Sequence, residues 1–274
     1  MKRLLAILVV SLLVLAGCAP SGGSSTSASP SSSPTGPVLK VGMELAYPPF
    51  ETKDAAGEPT GVSVDLAKAL GGLMGRPVQI ENIAWDGLIP SLQSKRVDVV
   101  ISSMTITPKR AEVVSFTKPY AKAYLAFLVN AKSPAKTVAD LNQAGRTIAV
   151  KKGTTGEVYV RANMPNATVT ALSSENAAVT EVVQGRADAF IYDQLTIFRQ
   201  AEQHNGAAVM LAIPEQQPEG WGAAVRLDDT ALRDQLNTAL DTFRAEGGFD
   251  ALTQKYLAKE KATFDAQGFR WFFE

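Results

Sequence analysis

Two residues of opposite charge stand where helices are predicted to begin, and both could hold a charged ligand. Arg110 lies in the first turn of a helix that Thr107 and Pro108 are predicted to start. A guanidinium is a planar fork of donors that matches a carboxylate, whereas its charge opposes the helix dipole at this place. A ligand role for Arg110 is therefore favoured over a solvated surface position. Asp193 follows a predicted strand, and its alternative role is an ordinary N-cap.

Other polar side chains follow predicted strands in the same way. Glu44 lies at the end of the first predicted strand, and Lys151 precedes the turn Gly153-Thr-Thr-Gly156. Trp85 stands between a predicted strand and a predicted helix. Ligands of α/β proteins bind at the carboxyl ends of strands and in clefts between domains. These positions therefore favour a binding cleft, with a core position for Trp85 and a solvated position for Lys151 as the alternatives.

The remaining composition argues against several classes of function. His204, the single histidine of the sequence, lies in a polar helical stretch, so we expect neither a Ser-His-Asp triad nor a metal site. The turn at Gly153 lacks the lysine and the spacing of a phosphate-binding loop. Without residues 1–17 the chain carries 25 basic (27 − 2) and 27 acidic side chains, a net charge of −2 that argues against nucleic acid. We expect no catalytic residue, no metal and no cofactor.

The elements that must position these residues alternate along the chain, which predicts an α/β fold. Apolar patterning predicts strands at 39–43, 78–83, 97–102, 146–150, 169–172, 189–192 and 221–226. Helices are predicted at 62–73, from Asp86 to Lys95, from Thr107, from the turn at Gly153, at 175–183, from Asp193 and at 228–246. Roughly 220 to 240 structured residues are comfortable for two lobes.

The N-terminus predicts export and a lipid anchor. Lys2 and Arg3 precede an apolar run of the length of a signal-peptide core, and Leu15-Ala-Gly-Cys18 then resembles a lipobox. We expect a signal peptide at 1–17 and lipidation of Cys18, in place of the buried thiol that a lone cysteine often is. Residues 18–37 read as a Ser- and Pro-rich tether with a reach of roughly 25 Å.

Several motifs occur in the right order and resemble one known family. They are Tyr47-Pro-Pro-Phe-Glu51, Gly61-Val-Ser-Val-Asp-Leu-Ala67, Trp85-Asp-Gly-Leu-Ile-Pro90, Ser102-Ser-Met-Thr-Ile-Thr-Pro-Lys-Arg110, Phe116-Thr-Lys-Pro-Tyr120 and Arg186-Ala-Asp-Ala-Phe-Ile-Tyr-Asp193. Together they resemble the polar amino-acid solute-binding proteins of ABC importers, bacterial extracellular solute-binding protein family 3. The resemblance extends from about Val38 to about Leu257.

The resemblance implies a two-lobed periplasmic binding protein type II fold with a two-strand hinge. The chain would cross between lobes near 127–131 and 220–224, giving a first lobe at 38–128 plus 223–274 and a second at 129–222. The expected protein is a monomer on the outer face of the cytoplasmic membrane or in the periplasm. It would deliver an amino acid to a membrane permease that a separate ATPase powers.

The resemblance also implies roles for single residues. Arg110 would grip the ligand α-carboxylate, with backbone N–H groups of Thr105 and Thr155. Asp193 would take the α-ammonium, together with the Ser103 carbonyl and the Thr105 hydroxyl. Aromatic walls would come from Tyr47 and Trp85, with Tyr192 as a weaker candidate, and the ligand side chain would be read by Glu44 and Lys151.

The ligand depends on where Lys151 points. If Glu44 and Lys151 both face the cleft, their charges cancel and a neutral polar side chain such as glutamine fits best. If Lys151 faces solvent, Glu44 favours arginine or lysine, and Trp85 adds a cation–π face. Two rival functions share this fold: a cyclohexadienyl-type dehydratase, for which Glu44 could supply an acid or base, and a sensor or adhesion lipoprotein.

The aromatic C-terminal segment, 264–274, exceeds what the family core needs. It contains Phe264, Phe269, Trp271, Phe272 and Phe273. We expect it to pack on the first lobe, with an exposed apolar patch for a partner as the alternative.

Overall fold

The computed structural model describes residues 35–273 and confirms the α/β class. The predicted anchor and most of the predicted tether therefore lie outside the described residues. The strands are β1 (Leu39–Met43), β2 (Thr52–Lys53), β3 (Pro59–Thr60), β4 (Val78–Asn82), β5 (Val99–Val100), β6 (Val114–Phe116), β7 (Ala121–Ala123), β8 (Leu125–Asn130), β9 (Thr147–Lys151), β10 (Thr168–Leu172), β11 (Ala189–Asp193), β12 (Ala208–Ala212), β13 (Glu219–Trp221) and β14 (Ala224–Arg226).

The helices lie between the strands and at the C-terminus. They are α1 (Val62–Leu73), α2 (Leu88–Gln93), α3 (Pro108–Ala111), α4 (Val138–Leu141), α5 (Thr155–Asn163), α6 (Glu175–Val183), α7 (Gln194–Gln203), α8 (Thr230–Ala245), α9 (Gly248–Tyr256) and α10 (Ala258–Gln267). None of the helices described over 35–273 has the length and apolar character needed to cross a membrane.

Two five-stranded sheets organise the structure. The first has the order β4-β1-β5-β14-β6 and the second the order β10-β9-β11-β8-β12. In each, parallel pairs are joined by an antiparallel return strand, β14 in the first and β8 in the second. Side chains of β8 are buried along its whole length, as expected of a strand covered on both faces. We call the parts built around the two sheets the first lobe and the second lobe.

A separate pair of strands connects the lobes. β7 precedes β8 of the second sheet, β13 precedes β14 of the first, and the two pair antiparallel with Glu219 opposite Ala123. This pair is the two-strand hinge expected from the resemblance. The first crossing had been expected near residue 127, but that position falls inside β8, so the change of sheet lies earlier, at β7. The division into 38–128 plus 223–274 and 129–222 stays a prediction, and β7 favours an earlier first limit.

One predicted cap is confirmed and another is wrong. Thr107 caps α3, accepting a hydrogen bond from the Arg110 backbone N–H at 3.2 Å, with Pro108 as the first helical residue. Asp86 does not cap α2, because it lies inside a single 3-10 turn at Trp85–Gly87, and Gly87 occupies the cap position. Such turns often precede an α-helix and delay its start.

The aromatic C-terminal segment packs on the first lobe, as expected, and its Phe264 also contacts Phe198 of α7 in the second lobe. Trp271 and Phe272 are buried in the same apolar cluster as Phe50 and Trp221. The carbonyl of Phe272 accepts a hydrogen bond from the Lys122 backbone N–H of the hinge strand β7 at 2.7 Å. The segment is therefore tied to the hinge by backbone as well as by side chains.

Candidate ligand-binding cleft

A cleft between the lobes brings the predicted site residues together. Eight of the nine predicted residues line it, namely Glu44, Tyr47, Trp85, Ser103, Thr105, Arg110, Thr155 and Asp193. The ninth, Lys151, reaches the cleft through contacts with Glu44 and Trp85. The cavity that remains has a volume of about 40 Å³, far below the roughly 300–1,000 Å³ of ligand pockets. The lobes are therefore in a closed arrangement, held by contacts that cross the cleft.

Arg110 is one of the residues that cross the cleft. Its guanidinium donates to the carbonyl of Thr105 in its own lobe at 2.7 Å and to the carbonyl of Gly153 in the second lobe at 3.1 Å. It also lies 5.2 Å from the centre of the Trp85 ring. Burial lowers the pKa of Arg110, and the charge of Glu219 opposes that shift. A guanidinium has five N–H donors, so two carbonyls leave capacity for a carboxylate.

Asp193 is the N-cap that its position allowed, and its second carboxylate oxygen bonds to a residue of the opposite lobe. Its Oδ1 accepts a hydrogen bond from the Thr196 backbone N–H at 3.0 Å and so caps α7. Its Oδ2 accepts a hydrogen bond from the hydroxyl of Tyr47, which belongs to the first lobe. Both side chains are buried, and burial raises the pKa of Asp193 above its usual value. A carboxylate has lone pairs beyond these two bonds, and a ligand cation could use them.

Lys151 points into the cleft and not into solvent. It is 2% exposed and pairs with Glu44 across the cleft. Its ammonium lies 5.6 Å from the Trp85 ring centre and 5.9 Å from that of Tyr192. The solvated alternative for Lys151 is therefore wrong, and its charge is balanced by that of Glu44 inside the cleft.

Ser103 is held by a network that the sequence did not predict. Its φ is +49°, in the left-handed region that few non-glycine residues adopt. Its hydroxyl donates to Glu51 at 3.1 Å, and its backbone N–H donates to the Tyr120 hydroxyl at 3.1 Å. Ser102 also donates to Glu51, at 3.2 Å, and accepts from the Glu44 backbone N–H at 3.0 Å. Glu51 thus joins two serines in the wall of the cleft, and its burial raises its pKa to about 8.

Thr105 and Thr155 share a partner that was also missed. Both hydroxyls donate to the same oxygen of Glu219, at 3.2 and 2.7 Å. The resemblance implied that the Thr105 hydroxyl shares a ligand ammonium with Asp193, but in this structure the hydroxyl donates a hydrogen bond to Glu219. The sequence does offer a signal for this role of Glu219. It is an acidic residue next to Gly220-Trp221, where the chain was expected to cross between the lobes for the second time and both lobes come close.

Across residues 35–273, no cluster of three or more His, Cys, Asp or Glu side chains could hold a metal ion. His204 follows the last turn of α7, away from the cleft residues. The polar side chains that line the cleft are thus mainly carboxylates, hydroxyls and the Arg110 guanidinium.

Comparison with known proteins gives the same family as the motifs. Residues 39–259 match the family model of bacterial extracellular solute-binding proteins, family 3. The chain is 34% identical over 222 residues to the ABC transporter arginine-binding protein 1 of Escherichia coli, covering 80% of this chain and 90% of that protein.

Solved structures show the same fold. An ancestral arginine-binding protein solved with glutamine is 32% identical, with a TM-score of 0.74, covering 80% of this chain and 97% of that one. An ancestral amino acid-binding protein, a precursor of cyclohexadienyl dehydratase, is 35% identical, with a TM-score of 0.73, covering 80% and 95%. The fold is the expected two-lobed type II fold, and the chain belongs to the bacterial extracellular solute-binding proteins, family 3.

Proposed function

We propose that the protein captures a free amino acid between its lobes and presents it to an ABC permease. The observation that carries this proposal is the presence of Arg110 and Asp193 in one closed cleft, each already bonded to the opposite lobe. An amino-acid zwitterion has one group for each of them. Binding would then draw the lobes together, because each charged end is satisfied by residues of both lobes.

The α-carboxylate is assigned to Arg110 and to the backbone N–H groups of Thr105 and Thr155. Thr155 is the first residue of α5, where helix N–H groups and the dipole favour an anion. The α-ammonium is assigned to Asp193 and the Ser103 carbonyl. The cavity of about 40 Å³ is too small to admit a free amino acid, so the cleft must open at the hinge before the ligand enters.

We propose glutamine as the preferred ligand. The pair of Glu44 and the buried Lys151 is neutral as a unit and offers one acceptor and one donor group to a side-chain amide. Trp85 and Tyr47 line the cleft as apolar walls for the methylenes. Arginine is the second candidate, because the Escherichia coli relative is an arginine-binding protein, and it would have to displace Lys151 from Glu44.

Titration calorimetry of Lys151→Met separates these ligands. The change should weaken glutamine binding, because the side-chain carbonyl loses its donor, and should spare or improve arginine binding. Lys152→Met is the matched control, because Lys152 is adjacent and exposed. Tight binding of glutamate without measurable binding of glutamine or arginine would contradict both assignments.

An enzymatic function is less well supported. A dehydratase needs a proton donor in the cleft, and Glu44, the candidate for that role, is engaged in an ion pair with Lys151. Incubation of the pure protein with arogenate or prephenate tests the alternative, since a dehydratase would release carbon dioxide and water and we expect no turnover.

We also propose that Cys18 carries the lipid anchor and that residues 18–37 tether the lobes to the outer face of a membrane. The support is the sequence Leu15-Ala-Gly-Cys18 after an apolar run. Cys18→Ser should release the protein from membranes, since each buried CH₂ of an acyl chain contributes about 0.8 kcal/mol. Mass spectrometry of the mature protein would contradict the proposal by finding an unmodified terminus at another residue.

A further inference from the structure

We propose that Glu219 is a latch residue, a carboxylate on the hinge that stabilises the closed cleft by joining one hydroxyl from each lobe. The proposal rests on the proposed function, because it concerns how tightly the closed protein retains its ligand. It assigns to the hinge strand β13 a part in closure beyond that of a flexible connection.

The hinge holds Glu219 firmly against the first lobe. In β13, Glu219 lies opposite Ala123 of β7, and the carbonyl of its neighbour Gly220 accepts a hydrogen bond from the Ile106 backbone N–H at 2.8 Å. Thr105 forms an isolated antiparallel bridge with Trp221. The segment around Thr105 and the strand that carries Glu219 are therefore fixed to each other by backbone hydrogen bonds.

The second hydroxyl comes from the other lobe. Thr155 begins α5, which packs on the second sheet, and its hydroxyl donates to Glu219 Oε2 at 2.7 Å. The same oxygen accepts from the Thr105 hydroxyl at 3.2 Å. Opening the cleft moves α5 away from the first lobe. A carboxylate oxygen fixed beside Thr105 would then lose Thr155, so this bond belongs to the closed arrangement.

The latch and the proposed ligand use different donors. Glu219 takes the two threonine hydroxyls, whereas the ligand carboxylate is assigned to the backbone N–H groups of the same residues and to Arg110. The Arg110–Gly153 bond also ends beside the start of α5, so latch and ligand would hold the same part of the second lobe. Glu219 therefore acts together with a bound ligand, and a ligand would dissociate only after the latch bond breaks.

Stopped-flow binding kinetics with L-glutamine and, separately, L-arginine test the latch. Glu219→Ala should raise the dissociation rate by about ten- to hundred-fold, the range expected for loss of a hydrogen bond to a charged group. The association rate should not fall, because a ligand enters the open cleft and the variant is open more often. Glu219→Gln keeps the shape and an acceptor oxygen, so its effect should be smaller. Glu215→Gln is the matched control, being exposed in the loop before β13.

A second variant shows whether the effect runs through Thr155. Thr155→Val removes the hydroxyl and keeps the side-chain shape, so it should reproduce much of the change in dissociation rate. Combining it with Glu219→Ala should add little, because both changes remove the same bond. Independent, additive effects would overturn the proposal, as would unchanged dissociation rates. Tighter ligand binding by folded Glu219→Ala would show instead that Glu219 competes with the ligand for Arg110.

Solution scattering of the ligand-free proteins tests the latch independently of which ligand binds. If calorimetry finds no amino acid that binds the wild type, the proposed function fails, whereas the latch still predicts a more open ligand-free Glu219→Ala. An increased radius of gyration in that variant, with unchanged far-ultraviolet circular dichroism, would support the latch. Identical scattering of the two proteins would overturn it.

Discussion

The hydroxyl of Tyr47 donates a hydrogen bond across the cleft to Oδ2 of Asp193. Asp193 uses its other oxygen to cap α7 through the Thr196 backbone N–H. The Asp193 carboxylate thus caps a helix of the second lobe and accepts a hydrogen bond from a hydroxyl of the first lobe. A ligand ammonium at this place would find an acceptor whose position is already set by two bonds, which limits the cost of ordering it on binding.

Asp193→Asn should weaken amino-acid binding strongly while leaving the fold intact. Asparagine caps helices about as well as aspartate, so α7 keeps its start, but the amide carries no charge for an ammonium. Loss of one partner of a buried charge pair costs on the order of 2–5 kcal/mol, or roughly 30- to several-thousand-fold in affinity. Titration calorimetry measures the effect. Asp241→Asn, an exposed aspartate paired with Lys118, is the control and should bind like the wild type.

The affinity should also depend on pH through Asp193. Burial raises the pKa of Asp193 above 3.8 in the closed structure, and a bound ammonium would favour its charged form and lower that pKa. The ligand therefore binds the ionised carboxylate better, and the affinity should fall as the pH is lowered through the raised pKa. Titration calorimetry at several pH values measures this effect. If the folded wild type kept a constant affinity as the pH was lowered through the pKa of Asp193, the assignment of the ammonium to Asp193 would be contradicted.

Glu51→Gln should make folding stability less dependent on pH. Burial raises the pKa of Glu51 from 4.5 to about 8, so the unfolded chain ionises at a lower pH than the folded one. The contribution of Glu51 is fully present below pH 4.5 and is lost as the pH rises towards 8, by about 5 kcal/mol at most. A glutamine amide can accept from one serine hydroxyl and donate to the other, which preserves the contacts with Ser102 and Ser103.

Chemical denaturation at several pH values between about 5 and 8 tests this expectation. The stability of Glu51→Gln relative to wild type should rise across that interval. Glu58→Gln, an exposed glutamate in the same part of the chain, should follow the wild type. Parallel curves for wild type and Glu51→Gln would show that Glu51 is not a buried neutral carboxyl.

Phe272→Ala should destabilise the first lobe. Phe272 is 2% exposed, and its ring centre lies 5.7 Å from that of Phe50 and 5.8 Å from that of Trp221. Truncation of a buried phenylalanine costs about 3–5 kcal/mol. Phe269→Ala, the same change at a partly exposed position of the same segment, should cost less. Equal and small losses of unfolding free energy would favour an exposed aromatic patch instead.

Local sequence signals predicted the bounds of several elements well where these bounds depend on one apolar run or one capping residue. Strand β1 and helix α1 begin and end where the apolar pattern placed them. Thr107 with Pro108 predicted the start of α3 and hence the position of Arg110. These features depend on neighbours in the chain, which a sequence shows directly.

Features that depend on distant residues were predicted less well. Strand β8, Leu125–Asn130, was not among the predicted strands, and its place in the second sheet follows from its pairing with β11 and β12. Glu219 lies 114 residues from Thr105 and 64 from Thr155 along the chain, so its place in the cleft follows from the hinge pairing alone. The burial of Lys151 likewise depends on Glu44, 107 residues away.

Titration calorimetry of wild type and Arg110→Ala against the free amino acids tests the central claim most directly. We expect the wild type to bind at least one polar amino acid, and Arg110→Ala to bind it roughly 30- to several-thousand-fold more weakly, because the ligand carboxylate loses its buried partner. Lys109→Ala, exposed in the same helix, should retain wild-type affinity. Failure of the wild type to bind any amino acid, or near-native affinity of a folded Arg110→Ala, would contradict the claim that this cleft captures amino acids.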